Sequence, residues 1–359
     1  MTGSEQSARR EWSPATWDSI VRSHPRATYL QTTQWAEVKG TNGWVPTLLL
    51  ADASGEGIGA QILARRLPIV PWRFAYAARG PLAERLTSGS LEAWTDAIRR
   101  RGPGLEPAAL VRADPEIEAG TTLEDGRDVS DVLHRLGWRS APAVQPRQTR
   151  IVDLGPEESV LWSDLRKKWR QYVNRARANG VVVRDVDPTI ETGAFEVFHR
   201  VMRETSRRAG IPIRSAASYE GIWSAFHATG ESRLLFAESA AREPLAVLLL
   251  ISCGRRVVEP HGGMTAVGAT LRANYLLKWE AIRSSRAGGA TSYDMWGLVH
   301  PGISQFKEGF GGQTVTYVGA WDLVLDPLGR VAFEVGAAAR AAWLRMRRGA
   351  DADETASAG

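Results

Sequence analysis

Lys307 sits between Phe306 and Glu308-Gly309-Phe310-Gly311-Gly312, shortly after Tyr293-Asp294-Met295-Trp296-Gly297. Of the 45 lysines and arginines in the chain, five are lysines: Lys39, Lys167, Lys168, Lys278 and Lys307. The chain otherwise uses arginine wherever it needs a cation. Arginine is a wide planar fork and lysine a compact point charge. A lysine framed by aromatics and glycines is therefore a candidate for work that needs the point charge. Lys39 ends an expected helix over Thr33–Lys39, where a cation is also ordinary helix-dipole chemistry. Arg214 follows Ile211-Pro212-Ile213, and an arginine on a proline-stiffened loop can fork onto a phosphate. Tyr219 lies just beyond it. Arg166, Lys167, Arg170, Arg175 and Arg177 fall on one helical face. That face suits nucleic-acid phosphates, anionic lipid or water alone. Arg345, Arg347 and Arg348 near the C-terminus carry the same ambiguity.

The elements that must hold these residues read as two diverged copies of one plan. In the first half, helices are expected at Pro14–Ser23 and Thr33–Lys39, then strands at Val45–Ala51 and Ile58–Arg65. A helix at Leu91–Arg101 and a strand at Ala108–Arg112 follow, and a strand at Thr149–Leu154 closes the half. In the second half, helices at Ala194–Ala209 and Tyr219–His227 precede strands at Arg233–Glu238 and Pro244–Ser252. A helix at Ala273–Ala287 and strands at Ala290–Trp296 and Thr314–Val318 complete it. Between the halves, Leu161, Leu165, Trp169, Tyr172, Val173 and Ala176 keep helical spacing over Ser159–Gly180. A strand at Trp321–Leu325 and a helix at Val331–Arg348 end the ordered chain. Helix–helix–strand–strand–helix–strand is an α/β (α+β) plan with mixed sheets. It fits the acyltransferase fold called GNAT, present twice in tandem. The expected domains are 1–155, completed by 317–348, and 156–316. The tail 349–359 is expected to be disordered.

Composition narrows the chemistry further. At 359 residues, with 43% hydrophobic and 24% charged residues, the chain is an ordinary folded protein large enough for two cores. A formal net charge of +5 suits an anionic partner. The lone Cys253 excludes an intramolecular disulfide framework and reads as a buried inert thiol. Met1–Arg10 has no apolar signal core, and no run is apolar enough to span a bilayer, so the expected location is the cytoplasm. There is no Walker loop, dinucleotide glycine pattern, His-Glu-x-x-His or nucleophile elbow. The six histidines are scattered. The stretch His261–Asn274 is glycine-rich but lacks the spacing of the loop that precedes the central helix in acetyl-CoA enzymes of the GNAT fold.

Several pieces resemble the Fem family (FemA, FemB, FemX) of aminoacyl-tRNA-dependent peptidyltransferases. The resemblance runs from about Thr28 to Asp326. It rests on Gln31–Lys39 with Gly43-Trp44, on Leu165–Arg170 with Ala176–Val183, and on Gly268–Thr270 with Tyr275–Glu280. The closing motif Tyr293–Gly297 with Phe306–Gly312 completes it. Only Val186–Gly193 stands where larger members insert a coiled-coil arm, so the chain resembles the compact type. The resemblance implies an aminoacyltransferase that moves an amino acid from aminoacyl-tRNA to the peptide-stem amine of a peptidoglycan precursor. That precursor would be UDP-MurNAc-pentapeptide or lipid II, and the product an interpeptide bridge. Lys307 would stabilise the negative charge that develops on the ester carbonyl oxygen, or hold the 3′ end of the tRNA. Lys39 and Arg214 would contact precursor phosphates, with Tyr219 and Phe306 as further substrate contacts. Asp294 would position the attacking amine or simply cap a strand end. No metal and no cofactor are expected, and a peripheral contact with the inner membrane face is. A tRNA-dependent enzyme of secondary metabolism, an acyl-CoA N-acyltransferase and a non-catalytic tRNA- or lipid-binding protein remain as rival readings.

Overall fold

The computed structural model describes residues 13–53, 56–100, 104–298 and 300–357. The first helix, α1 (Pro14–Ser23), is capped by Ser13, whose hydroxyl accepts from Thr16 N–H, with proline at the first helical position. A 3-10 turn at Tyr29–Gln31 leads into α2 (Thr33–Gly40). Buried Asp18 of α1 accepts from the Thr33 N–H at 2.8 Å and from its hydroxyl, which fixes where α2 begins.

The next elements are β1 (Val45–Ala53), β2 (Glu56–Arg66), β3 (Arg73–Ala77), β4 (Leu82–Ala83), α3 (Ser88–Arg99), β5 (Ala108–Ala113), α4 (Val129–Arg135) and β6 (Trp138–Ala141). Then come β7 (Gln148–Asp153), α5 (Glu158–Asp164), α6 (Lys167–Ala178), β8 (Val182–Val186), α7 (Ala194–Ala209) and α8 (Ala216–His227). They are followed by β9 (Ser232–Glu238), β10 (Pro244–Cys253), β11 (Arg256–Met264), α9 (Ala266–Thr270) and α10 (Ala273–Ala287). Strand β12 (Ser292–Asp294), α11 (Pro301–Glu308), β13 (Gln313–Thr316), β14 (Ala320–Val324) and α12 (Pro327–Ser357) end the chain.

Two compact units result. One holds Lys39–Val144 and the described residues from Val318 onward. Its sheet runs β1-β2-β3-β5-β14-β6, with β4 also pairing with β2. The crossover helix α3 makes β5 parallel to β3. Strand β14 arrives from the far end of the chain and pairs antiparallel with both β5 and β6. Trp94 of α3 stacks on Trp138 of β6 at 5.3 Å, and the Trp138 indole donates to the Thr95 hydroxyl at 3.0 Å.

The other unit holds Gln145–Tyr317 and the described residues up to Val38. Its sheet runs β13-β7-β12-β11-β10-β9-β8. Strands β9, β10 and β11 form an antiparallel meander, and α10 then crosses over so that β12 runs parallel to β11. Almost all of β10 is buried, as its unbroken apolar run requires. Both units are mixed α/β, and both follow the meander, crossover helix and parallel strand of a GNAT-like fold.

The structure differs from expectation in four places. Strand β7 was expected to close the first half but lies in the second sheet, between β12 and β13. Its residue pattern makes it a strand without saying which sheet takes it. The division therefore falls near residue 145 rather than 155, and residues 13–38 group with the second unit. The helix expected over Ser159–Gly180 is two helices, because Leu165 and Arg166 are extended. Arg170 offsets the break by donating to the carbonyls of Trp162, Ser163 and Leu165, which would otherwise end α5 unpaired. Helix α12 continues to Ser357, so the backbone is helical where a disordered tail was expected; residues 358 and 359 lie outside the described residues. Cys253 is buried, and burial pushes its thiol up to about 12.

Candidate active site

Strand β12 ends at Asp294, which is fully buried. Its Oδ1 accepts from the Thr149 hydroxyl and from the Trp296 N–H at 2.7 Å, and its Oδ2 accepts from the Arg256 guanidinium. Both carboxylate oxygens thus serve the protein itself. Those bonds are the ones a strand-end cap makes. Trp296 has φ +57°, a left-handed conformation uncommon for a bulky residue. The bond from its N–H to Asp294 holds it there.

The turn gathers three successive carbonyls around Lys307. Nζ of Lys307, on the last turn of α11, donates to the carbonyls of Met295, Trp296 and Gly297 at 2.6, 2.9 and 2.8 Å. An ammonium carries three donors, so all are engaged. Arginine, a planar fork, could not converge on three backbone oxygens from one point. Desolvation pulls Lys307 down from the ordinary lysine range to about 8. The Glu259 carboxylate pulls it back up, Lys278 pushes it further down, and Asp294 favours the charge. The carbonyl bonds also favour the charged form.

The end of α11 is clamped by the break between α5 and α6. Arg166 N–H donates to the Gly309 carbonyl at 2.9 Å, and the Trp169 indole donates to the Phe306 carbonyl at 2.9 Å. Gly309 lies so close to that indole that a Cβ would come within 2.3 Å of it. Phe306 is half-buried among Tyr275 and Phe310, at ring distances of 5.1 and 5.2 Å.

A second buried group stands within electrostatic reach of Lys307. Strand β11 carries Pro260, which has no N–H for the ladder. The register with β10 accordingly shifts between Leu249 and Ile251, leaving Glu259 and Pro260 opposite Leu250. Glu259 takes an ion pair from Lys278 of α10 and a hydrogen bond from the Tyr293 hydroxyl at 2.6 Å. All three are buried. Burial and the Glu259 charge push the Tyr293 hydroxyl well up. The sequence marks Lys278 as one of five lysines and as part of the family-like stretch Tyr275–Glu280 without giving it a role, and it leaves Glu259 unmarked; a proline inside an apolar strand was the available signal.

Arg214 and Tyr219 meet elsewhere in the same unit. Tyr219 is buried, and its hydroxyl accepts from the Arg214 N–H at 3.2 Å, so it anchors the loop from within. Burial raises its hydroxyl, and also lowers the neighbouring His261 to about 3. The Arg214 side chain is exposed and lines a cleft of about 560 Å³ with His199, Arg203, Ser206, Arg207, Ile213 and Ser215. Three guanidinium groups and no acidic residue line it, a setting for phosphate oxygens. Lys39 belongs to the other unit, its Nζ 5.3 Å from the Trp44 ring centre. The structure thus brings Asp294, Phe306 and Lys307 together, and Arg214 with Tyr219. On the basic face, Arg166 pairs with Glu308 at 3.1 Å and Arg177 with Glu280 at 2.9 Å, while Arg170 serves carbonyls. Lys167 and Arg175 stay exposed.

The stretch His261–Asn274 forms the end of β11, the helix α9 and the start of α10. Gly268 is needed there for packing, since a Cβ would come within 2.1 Å of the Leu245 carbonyl. Among the described residues no cluster of three or more His, Cys, Asp or Glu side chains could hold a metal ion.

This architecture has a close counterpart. The crystal structure of FemX superposes with a TM-score of 0.78 over 89% of this chain and 98% of that one, at 21% identity, which defines the fold. The model of the FemAB family matches residues 13–238 and 227–335. The chain belongs to the FemAB family. A lipid II:glycine glycyltransferase of Staphylococcus aureus is 27% identical over 238 residues, 64% of this chain and 54% of that protein. The chain spans about half the length of the curated relatives it matches.

Proposed function

We propose that this protein is an aminoacyltransferase that joins an amino acid, delivered as an ester on tRNA, to the side-chain amine of a peptidoglycan precursor. One observation carries the reading: a desolvated ammonium, Lys307, held by three carbonyls at the closing motif of a FemAB-family chain. The similarity to a lipid II:glycine glycyltransferase supports the acceptor class.

In this reaction the acceptor amine attacks the ester carbonyl and a C–N bond forms. The tetrahedral state carries negative charge on the former carbonyl oxygen. It collapses by breaking the C–O bond to the terminal ribose, whose oxygen takes up a proton as the amine loses one. A fixed cation near the oxyanion stabilises that state, typically by about 3–4 kcal/mol. All three Lys307 donors are engaged by backbone. Direct contact therefore exchanges one carbonyl for the substrate oxygen; without exchange the ammonium acts as a fixed charge. The arginine-lined cleft at Arg214 suits the diphosphate of the precursor, whether UDP-linked or lipid-linked. Lys39 is a further phosphate contact in this reading, and Phe306 a substrate contact.

The test is direct. The purified protein is incubated with each charged tRNA in turn and a pentapeptide precursor, and the product is weighed. A precursor heavier by one aminoacyl residue supports the reading. Acylation from acetyl-CoA, with every charged tRNA ignored, contradicts it.

A further inference from the structure

Two exposed apolar features adjoin in the unit built on the first sheet. The connection between β2 and β3 reads Leu67-Pro68-Ile69-Val70-Pro71-Trp72, and Leu67 N–H closes it on the Trp72 carbonyl at 2.8 Å. At its tip Ile69 is wholly exposed, at 104%, with φ +71°. A β-branched residue seldom takes that conformation. Here the backbone spends strain to hold an isoleucine in water, where it gains no burial.

The second feature is α12. Its Gly329 lies against Trp72 and Ala109, where a Cβ would come within 2.8 Å of each, so the helix starts on the hairpin's own tryptophan. Phe333 turns inward and stacks on Phe74 at 4.8 Å. Leu328, Val331 and Val335 are 73, 58 and 64% exposed. Their spacing puts them on one stripe of the helix. Eleven large hydrophobic residues are exposed among the described residues, and four of them belong to this one patch.

Cations frame it. Arg65 and Arg66 at the base of the hairpin are exposed, and neither forms an ion pair among the described residues. A contact between two copies of the chain would set these arginines against one another. An anionic bilayer surface accommodates both parts: the apolar side chains enter the acyl boundary while the arginines meet headgroup phosphates. No helix of the described residues is long and apolar enough to cross a membrane, so the contact is one of surface rather than span.

We propose that the β2–β3 hairpin and the outer face of α12 together dock this chain on an anionic phospholipid surface. The proposal deepens the reading of a lipid-linked acceptor and rests on it for its purpose. Its test omits acceptor and tRNA, so it fails or stands separately from the transfer reaction.

The full-length protein is sedimented with sucrose-loaded vesicles of phosphatidylcholine, alone or mixed with phosphatidylglycerol. Binding is expected to the mixed vesicles. Arg65→Glu/Arg66→Glu should weaken it by about tenfold or more. Ile69→Ser/Val331→Ser should do so by about tenfold, through lost apolar insertion. All four residues are exposed, so both variants should keep the circular dichroism and melting temperature of the parent. Absence of binding overturns the proposal. Binding that Ile69→Ser/Val331→Ser leaves unchanged also overturns it, because other arginines would then suffice. A concentration-dependent dimer that Ile69→Ser dissociates, with no vesicle binding, would assign the patch to self-association instead.

Discussion

Lys307 carries a positive charge where burial disfavours one, and the residues around it explain how. Three carbonyls and two carboxylates favour the ammonium against desolvation and Lys278. Two pH effects of opposite sign follow. The folded value, about 8, lies below the ordinary lysine value, so between the two the unfolded chain holds more protons. The contribution of Lys307 to stability therefore rises with pH across that window. A rate that needs the ammonium should instead fall as pH passes upward through about 8. A pH profile of kcat should show this limb in the parent and lack it in Lys307→Met. Asp294 governs the same site through the backbone. Asp294→Asn removes the carboxylate charge paired with the buried Arg256 and should destabilise the fold by about 3–5 kcal/mol. Chemical denaturation monitored by circular dichroism would measure it; a loss below about 1 kcal/mol would refute the assignment. Lys307 was legible in the sequence because its type is rare in this chain. Glu259 was not, because a β-bulge and a partner on α10 give it its place.

At the scale of elements, the site depends on two irregularities. The break between α5 and α6 brings Arg166 and Trp169 onto the end of α11. Gly309→Ala would drive a methyl group into the Trp169 ring and should cost about 1–3 kcal/mol or more, with a fall in kcat as the cage shifts. A thermal melt unchanged from the parent would contradict this. The second irregularity is the bulge at Glu259. Glu259→Gln removes the carboxylate charge paired with the buried Lys278 and should cost about 3–5 kcal/mol; a denaturation midpoint equal to the parent's would show the pair to be dispensable. Helical periodicity gave both ends of α7 and of α10 directly from sequence. It missed the break at Leu165–Arg166, because that break depends on the carbonyl of Gly309, far along the chain. Periodicity reports local preference, whereas this break is held by tertiary hydrogen bonds.

At the scale of the whole molecule, the chain threads its two units discontinuously. Strand β14 lies between β5 and β6, and among the described residues β6 pairs with β14 alone. A chain ended after Tyr317 would leave β6 detached and Trp138 without its sheet. Limited proteolysis of that truncated chain should cut within 39–144 first and spare 145–317 longer; equal protection of both would refute the topology. The duplicated plan was readable from the order of helices and strands. Membership of β7 in the second sheet was not, since its residues satisfy either sheet equally well. The arginine-lined cleft at Arg214 and the ammonium at Lys307 lie within one unit, so in the proposed reaction that unit would supply both the phosphate contacts and the cation. The central claim is that Lys307 promotes acyl transfer from tRNA to a precursor amine. Single-turnover transfer from charged tRNA to a UDP-linked pentapeptide tests it most directly, comparing the parent with Lys307→Met at a temperature where both are folded. The expected result is product in the parent and a rate lower by about 10²–10³ in the variant. Transfer by Lys307→Met within a few-fold of the parent would contradict it.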